Sequence, residues 1–298
     1  MSFRILSLLC CLVVTACGGG GGGGSSAPAP TDGRLSVGVS DAPVVGASEV
    51  VVAFTGLELK PREGDAFSVV PAESPLMINL LDYQNGERAM LLDNETVGAG
   101  DYNWMRLQVV EADSYVIVDG QQNPLEIPSG EQSGLKLNRG FAVAVGALTD
   151  FTIEIDLRKS LTVTGNGRYK LRPTLRLVDN LETNSLSGTV DSGLIVDETC
   201  QNGDNDDTGN AVYLFEGGAA VQDIQGNDGD PLTTSTVVYD ADTETYRFTI
   251  AFLAYDDYRL VFTCNASADD PEQVDELGFT APIDVTVTAE PTTPVSFL

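Results

Sequence analysis

The stretch Thr245–Phe262, TYRFTIAFLAYDDYRLVF, sets terms that the rest of the chain follows. Tyr246, Phe248, Ile250 and Phe252 alternate with Arg247, Thr249 and Ala251, so a strand places all four large apolar side chains on one face. A helix would scatter the same residues around its circumference. After the Asp256-Asp257 turn, Leu260 and Phe262 share one face of a second strand, which predicts a hairpin. The period of two recurs in RLSVGVSDAP, EVVVAFTGLELKP, SYVIVDG, FAVAV and FTIEIDL, with Gly, Pro, Asn and Asp at the breaks. Outside the amino terminus no long run has apolar residues every three to four positions. The expected fold class is therefore all-β, as two antiparallel β-sandwich domains of immunoglobulin-like architecture. At 298 residues, 42% of them apolar, the chain can fill two such cores.

Sixteen Lys and Arg face 44 Asp and Glu, a formal charge of -28 that repels phosphate backbones and disfavours nucleic acid as a partner. The imbalance is uneven. Met1–Asn184 holds 14 basic and 22 acidic residues, Ser185–Leu298 only 2 basic and 22 acidic, which implies two differently built halves. There is no histidine, so Ser-His-Asp and Cys-His catalysis and every His-ligated metal site are excluded.

Met1–Arg4 forms a short positive region, and Ile5–Val14 is an apolar core of ten residues. That is too short to cross about 30 Å of hydrocarbon as a helix, and it reads as a signal peptide. Val14-Thr15-Ala16-Cys17 then resembles the lipobox of bacterial lipoproteins: a branched residue, a small one before the cysteine, and the thiol to be acylated. Cys10 and Cys11 lack this spacing. The resemblance implies cleavage after residue 16 and lipidation of Cys17, with enough acyl chains for a stable membrane anchor. Gly18 stands where an Asp would favour inner-membrane retention, so the expected location is the outer membrane, facing the periplasm or the cell surface. Residues 17–32, rich in Gly, Ser and Pro, read as a flexible tether with a reach of about 20 Å.

In FTIEIDLRKS, Phe151, Ile153, Ile155 and Leu157 share one face, and Thr152, Glu154, Asp156 and Arg158 the other. Glu154 and Asp156 thereby lie about 7 Å apart, a separation that paired glycosidase carboxylates can have. The plainer expectation is a solvated outer face on which Asp156 pairs with Arg158 or a cross-strand partner. Residues 33–182 also carry, in order, GRLSVGVSDAP, INLLDY, AGDYNWMRLQV, IPSGEQSGLKL, IDLRKSL and YKLRPTLRLV. Together these resemble the bacterial lipoprotein family of domain of unknown function 4382. The resemblance implies a secreted, lipid-anchored, sandwich-like domain, and it assigns no catalytic residue.

Residues 185–298 carry SLSGTV, NAVYLFEG and the hairpin pattern, an order that resembles prealbumin-type carboxypeptidase regulatory-like domains. With the signal peptide removed and Cys17 acylated, Cys200 and Cys264 are left, and an oxidising compartment favours their pairing. In the chain-entropy account, closing that loop contributes about 4 kcal/mol at most. Two buried free thiols are the alternative. Asp204, Asp206 and Asp207 in CQNGDNDDTGN suggest a calcium site, to which QGNDGD could add ligands. EF-hand spacing is absent, and a solvated acidic loop accounts for the same residues.

The function expected is a non-catalytic binding or structural module of the cell envelope, held to the membrane through Cys17, with a protein or glycan ligand and no cofactor beyond this calcium candidate. A calcium-stabilised adhesion, matrix or glycan-binding module is one alternative. A carboxylate-based glycan hydrolase using Glu154 and Asp156 is the other.

Overall fold

A computed structural model of the protein describes residues 31–42, 46–128, 135–195 and 209–298. Cys17 and the tether before Thr31, the loop around Cys200, and Asp204, Asp206 and Asp207 lie outside the described residues. The chain is all-β, and residues 31–298 form one compact unit in which two groups of sheets enclose separate cores.

The amino-terminal group begins with β1 (Asp32–Ala42), β2 (Glu49–Pro61), β3 (Phe67–Val69), β4 (Leu76–Asn79) and β5 (Ala89–Gly98). The long β6 (Gly100–Val118) follows, then β7 (Gln121–Glu126), β8 (Leu135–Leu137), β9 (Phe141–Val143) and β10 (Leu148–Asp156). A four-residue helix, α1 (Leu157–Ser160), leads into β11 (Leu161–Val163), β12 (Tyr169–Leu171) and β13 (Thr174–Asp179). One sheet has the order β13-β10-β1-β5. The other runs β11-β12-β7-β6-β2-β3, with β4 added to β2 and β8 and β9 added to β6. Leu35, Val37, Val39, Ile153 and Ile155 from the first sheet meet Val52, Phe54, Leu57 and Met105 from the second in one core.

A bulge explains how β2 keeps its apolar side chains inward over thirteen residues. Val50, Val52 and Phe54 face the core, and then the register against β6 shifts between Phe54 and Gly56, after which Leu57 and Leu59 face it instead. Gly56 makes the shift possible. Its φ is +152°, and a Cβ there would lie 2.6 Å from the Val69 carbonyl oxygen.

The carboxy-terminal group comprises β14 (Thr183–Val190), the short helix α2 (Ser192–Ile195), β15 (Ala211–Glu216), β16 (Thr233–Thr236) and β17 (Val238–Asp240). After these come β18 (Thr245–Ala254), β19 (Asp257–Thr263), β20 (Ile283–Thr286) and β21 (Val295–Phe297). The sheets are β17-β18-β14-β21 and β16-β15-β19-β20.

Several expectations are corrected here. The predicted hairpin does not form: β18 and β19 belong to opposite sheets, so the two residues between them make an arch across the core, where Phe248 and Ile250 meet Leu260 and Phe262. Phe252 leaves the predicted inward row, because the chain bulges opposite β14 and Phe252 takes φ +56°; Leu253 points inward instead. FTIEIDLRKSLTV does not continue as one strand. Asp156 accepts the Lys159 N–H (3.1 Å), caps α1 and turns the chain away from β10. Pairing is mostly antiparallel, but β1 with β10, β12 with β7 and β14 with β21 run parallel.

Candidate functional site

Where β10 passes into α1, the polar face expected to meet solvent is covered by the carboxy-terminal sandwich. Glu154 is 7% exposed, Asp156 4% and Arg158 4%. Glu154 pairs with Arg176 on β13 and accepts the Thr233 hydroxyl of β16 at 2.6 Å. The Arg158 guanidinium crosses the junction: its Nη1 donates to the Ala266 carbonyl at 2.6 Å, its Nε to Thr234 Oγ1 at 3.3 Å, and it lies 5.8 Å from the Tyr213 ring centre. Lys159 donates to the carbonyls of Pro231 and Leu232, and Arg176 to that of Phe252 at 3.1 Å. Phe252 thus holds its left-handed backbone, which costs on the order of 1–3 kcal/mol, where its carbonyl oxygen receives a cationic donor.

These contacts correct the expectation of an open polar face on which Asp156 pairs with Arg158 or a cross-strand partner. The partner of Asp156 is Lys159, at 3.4 Å, and the face is an interface. They also define what Glu154 and Asp156 can do. A glycosidase needs one acid and one base flanking a bond in a cleft. Here Glu154 is tied to Arg176 and Thr233, and Asp156 is occupied as a helix cap and ion-pair partner. Sequence reasoning missed Asp41, which reaches α1 from the end of β1, accepting the Leu157 N–H and the Gln84 amide, each at 3.3 Å. Burial raises the carboxyls of Asp41 and Asp156 above the usual range; the Asp156 charge raises Asp41 further, while Lys159 pulls Asp156 back.

A cleft of about 210 Å³ opens beside the junction, lined by Arg158, Thr162, Ser267, Asp269, Asp270 and Glu272 among others. Behind it, carboxylate oxygens of Asp223, Asp269 and Asp275 lie within 4.8 Å of one another. Each is already engaged: Asp223 accepts from Gln225 and the Asp275 N–H, Asp269 from the Tyr213 hydroxyl (2.5 Å) and the Ile224 N–H (3.1 Å), and Asp275 from the Asp270 N–H. No short-range spacing announces this group, since its members are drawn from two separate loops. In QGNDGD, proposed as extra calcium ligands, Asp230 turns its oxygens inward, accepting from Gln225 N, Gly226 N and the Gln222 amide.

Burial lifts Asp269 from 3.8 to about 6, against the opposing pull of the Tyr213 hydroxyl and the Arg158 charge. The folded chain therefore holds a proton that the unfolded chain releases, and the stability this confers is complete below pH 3.8 and is lost as the pH rises through 6. Relative to Asp269→Asn, which cannot titrate, the melting temperature of the unmodified protein should fall between about pH 4 and pH 7. A difference that stays constant over this range overturns the assignment.

Residues 32–173, just under half of the chain, match the domain of unknown function DUF4382. The match stops just before β13, the strand that completes the first sheet and brings Arg176 to the junction. No curated protein matches the chain. Among solved structures it is similar to the Bacillus anthracis TIE protein, with 10% identity over 89% of this chain and 33% of that one and a TM-score of 0.18. This chain thus spans a third of that protein's length. It is also similar to BcpA, the major pilin subunit of Bacillus cereus, with 10% identity over 89% of this chain and 98% of that one and a TM-score of 0.19.

Proposed function

We propose that the protein is a lipid-anchored component of the cell envelope that acts without catalysis, as a binding or structural module. The observation that carries this reading is the fate of the paired carboxylates. Of the acids best placed in sequence for hydrolysis, Glu154 is spent on a bond from Thr233 across the junction and on Arg176, and Asp156 on capping α1 and on Lys159. Anchoring rests on the lipobox Val14-Thr15-Ala16-Cys17, and Gly18 favours the outer membrane as its destination. Among the described residues no helix is long and apolar enough to cross a membrane. We read residues 185–298 as a carboxypeptidase regulatory-like sandwich stapled by Cys200 and Cys264. Cys264 lies buried just past the end of β19, in the core that such a bridge would tie down.

The test is fractionation. The unmodified protein should stay with membranes through a carbonate wash, and Cys17→Ser should move to the soluble fraction almost completely, because removing the acyl chains removes the hydrophobic anchor. A Cys17→Ser protein that still sediments with membranes overturns the anchoring.

A further inference from the structure

The outer face of the nine-stranded sheet carries a group of side chains that the core does not require. Leu57 and Leu59 on β2, Met105 and Leu107 on β6, and Leu135 and Leu137 on β8 point into the core. Alternation therefore turns Glu58, Lys60, Trp104, Arg106 and Lys136 outward, in register: Lys60 opposite Trp104, Glu58 opposite Arg106, and Arg106 opposite Lys136. Trp104, the sole tryptophan of the chain, is half-buried on this face. The Lys136 ammonium lies 4.5 Å and the Arg106 guanidinium 4.9 Å from its ring centre. Both distances are within the range in which the indole quadrupole attracts a cation.

The charge of this patch is out of keeping with the protein around it. Arg106 is paired with Glu58 at 2.8 Å, but among the described residues neither Lys60 nor Lys136 has a carboxylate partner; Lys60 donates to the Gly64 carbonyl. Two ammonium groups without a carboxylate partner among the described residues, and an aromatic ring, thus sit together on a chain of net charge -28. Beside them the Gln108 amide donates to Ser68 Oγ at 3.1 Å, which leaves polar oxygens on the same face.

We propose that this face is a docking strip for an acidic polysaccharide. The proposal rests on the reading of the chain as a non-catalytic binding module and names its ligand class. Sugar carboxylates meet Lys60 and Lys136, the apolar face of a sugar ring meets the exposed part of the indole, and Gln108 and Ser68 offer hydrogen bonds to hydroxyls. The small extent of the patch favours a thin polymer over a charged plane. An anionic bilayer pressed against it would also meet the acidic remainder of the surface within the screening length of about 8 Å, whereas a single polymer chain touches only the strip.

Because Trp104 is the sole tryptophan, its fluorescence reports directly on the strip. Titration of the full chain with sodium polygalacturonate should change the emission saturably, with an affinity that falls as salt is raised. Neutral dextran should leave it unchanged. Lys136→Glu should weaken binding at least about tenfold while its melting temperature falls by no more than a few degrees, since Lys136 is exposed and gives up only its contact with the indole. Calorimetry on the same titration detects a spectrally silent complex. The proposal is overturned if polygalacturonate gives neither heat nor emission change, if only phosphatidylglycerol vesicles bind, or if Lys136→Glu binds as tightly as the unmodified chain. Assaying reducing ends in the same sample separates the two readings: binding with new reducing ends upholds the strip and overturns the non-catalytic function, and absence of binding overturns the strip alone.

Discussion

Arg158→Ala should destabilise the protein by about 3–5 kcal/mol in urea unfolding at neutral pH, and should split one transition into two. The side chain is buried, gives two hydrogen bonds across the junction, and stands near the carboxylates of Asp156 and Asp269 as a counter-charge. Truncation leaves the Ala266 carbonyl without that donor, opens a void against Tyr213 and removes positive charge from between buried acids. Arg158→Lys should fall in between. An ammonium keeps the charge but cannot reproduce a guanidinium that reaches Ala266 and Thr234 from two different nitrogens. If Arg158→Ala unfolds in one transition at an unchanged midpoint, the junction does not couple the sandwiches.

Gly188→Ala should lower the melting temperature by about 5–10 °C, corresponding to roughly 3 kcal/mol of overpacking. Gly188 lies in β14 between β18 and β21, and an added Cβ would sit 2.1 Å from the Val295 carbonyl oxygen and 2.6 Å from two carbons of the Phe248 ring. Neither is a flexible side-chain end. Relief requires moving β21 off the sheet, which gives up the Gly188–Val295, Thr189–Ser296 and Val190–Phe297 pairs and exposes the chain between β20 and β21 to protease. Gly165→Ala is the control, because its Cβ would meet nothing within 4 Å, and it should melt close to the unmodified protein. Equal melting of the two variants would refute the steric argument.

Strands were legible in the sequence wherever alternation was uninterrupted, as in β1 and most of β18, and failed where a local device overrode the period. At Phe252 the device is a bulge, and at Asp156 it is a helix cap; each shifts or ends the alternation within one or two residues. The apparent hairpin failed for a different reason. A two-residue turn signal is the same whether the chain returns within a sheet or crosses to the opposite one, and only the pairing of β19 with β15 and β20 distinguishes them. At the junction, alternation correctly grouped Thr152, Glu154 and Asp156 on the side away from the core. Nothing in that segment indicated that another sandwich would cover it. The cover comes from Thr233 and Thr234, some 80 positions later in the chain, and from a fold that no local pattern specifies.

The parallel pairing of β1 with β10 also bears on the order in which the molecule is made. Arg34 sits opposite Leu148, so β1 has no partner on that side until more than a hundred further residues have left the ribosome. The carboxy-terminal sandwich repeats the arrangement, since Gly188 in its first strand waits for Val295 in its last. Each sandwich therefore closes late, and a chain interrupted partway leaves an inner strand with a bare edge. Such an edge templates pairing with another chain, so incomplete copies are exposed to aggregation by the same topology that seals complete ones.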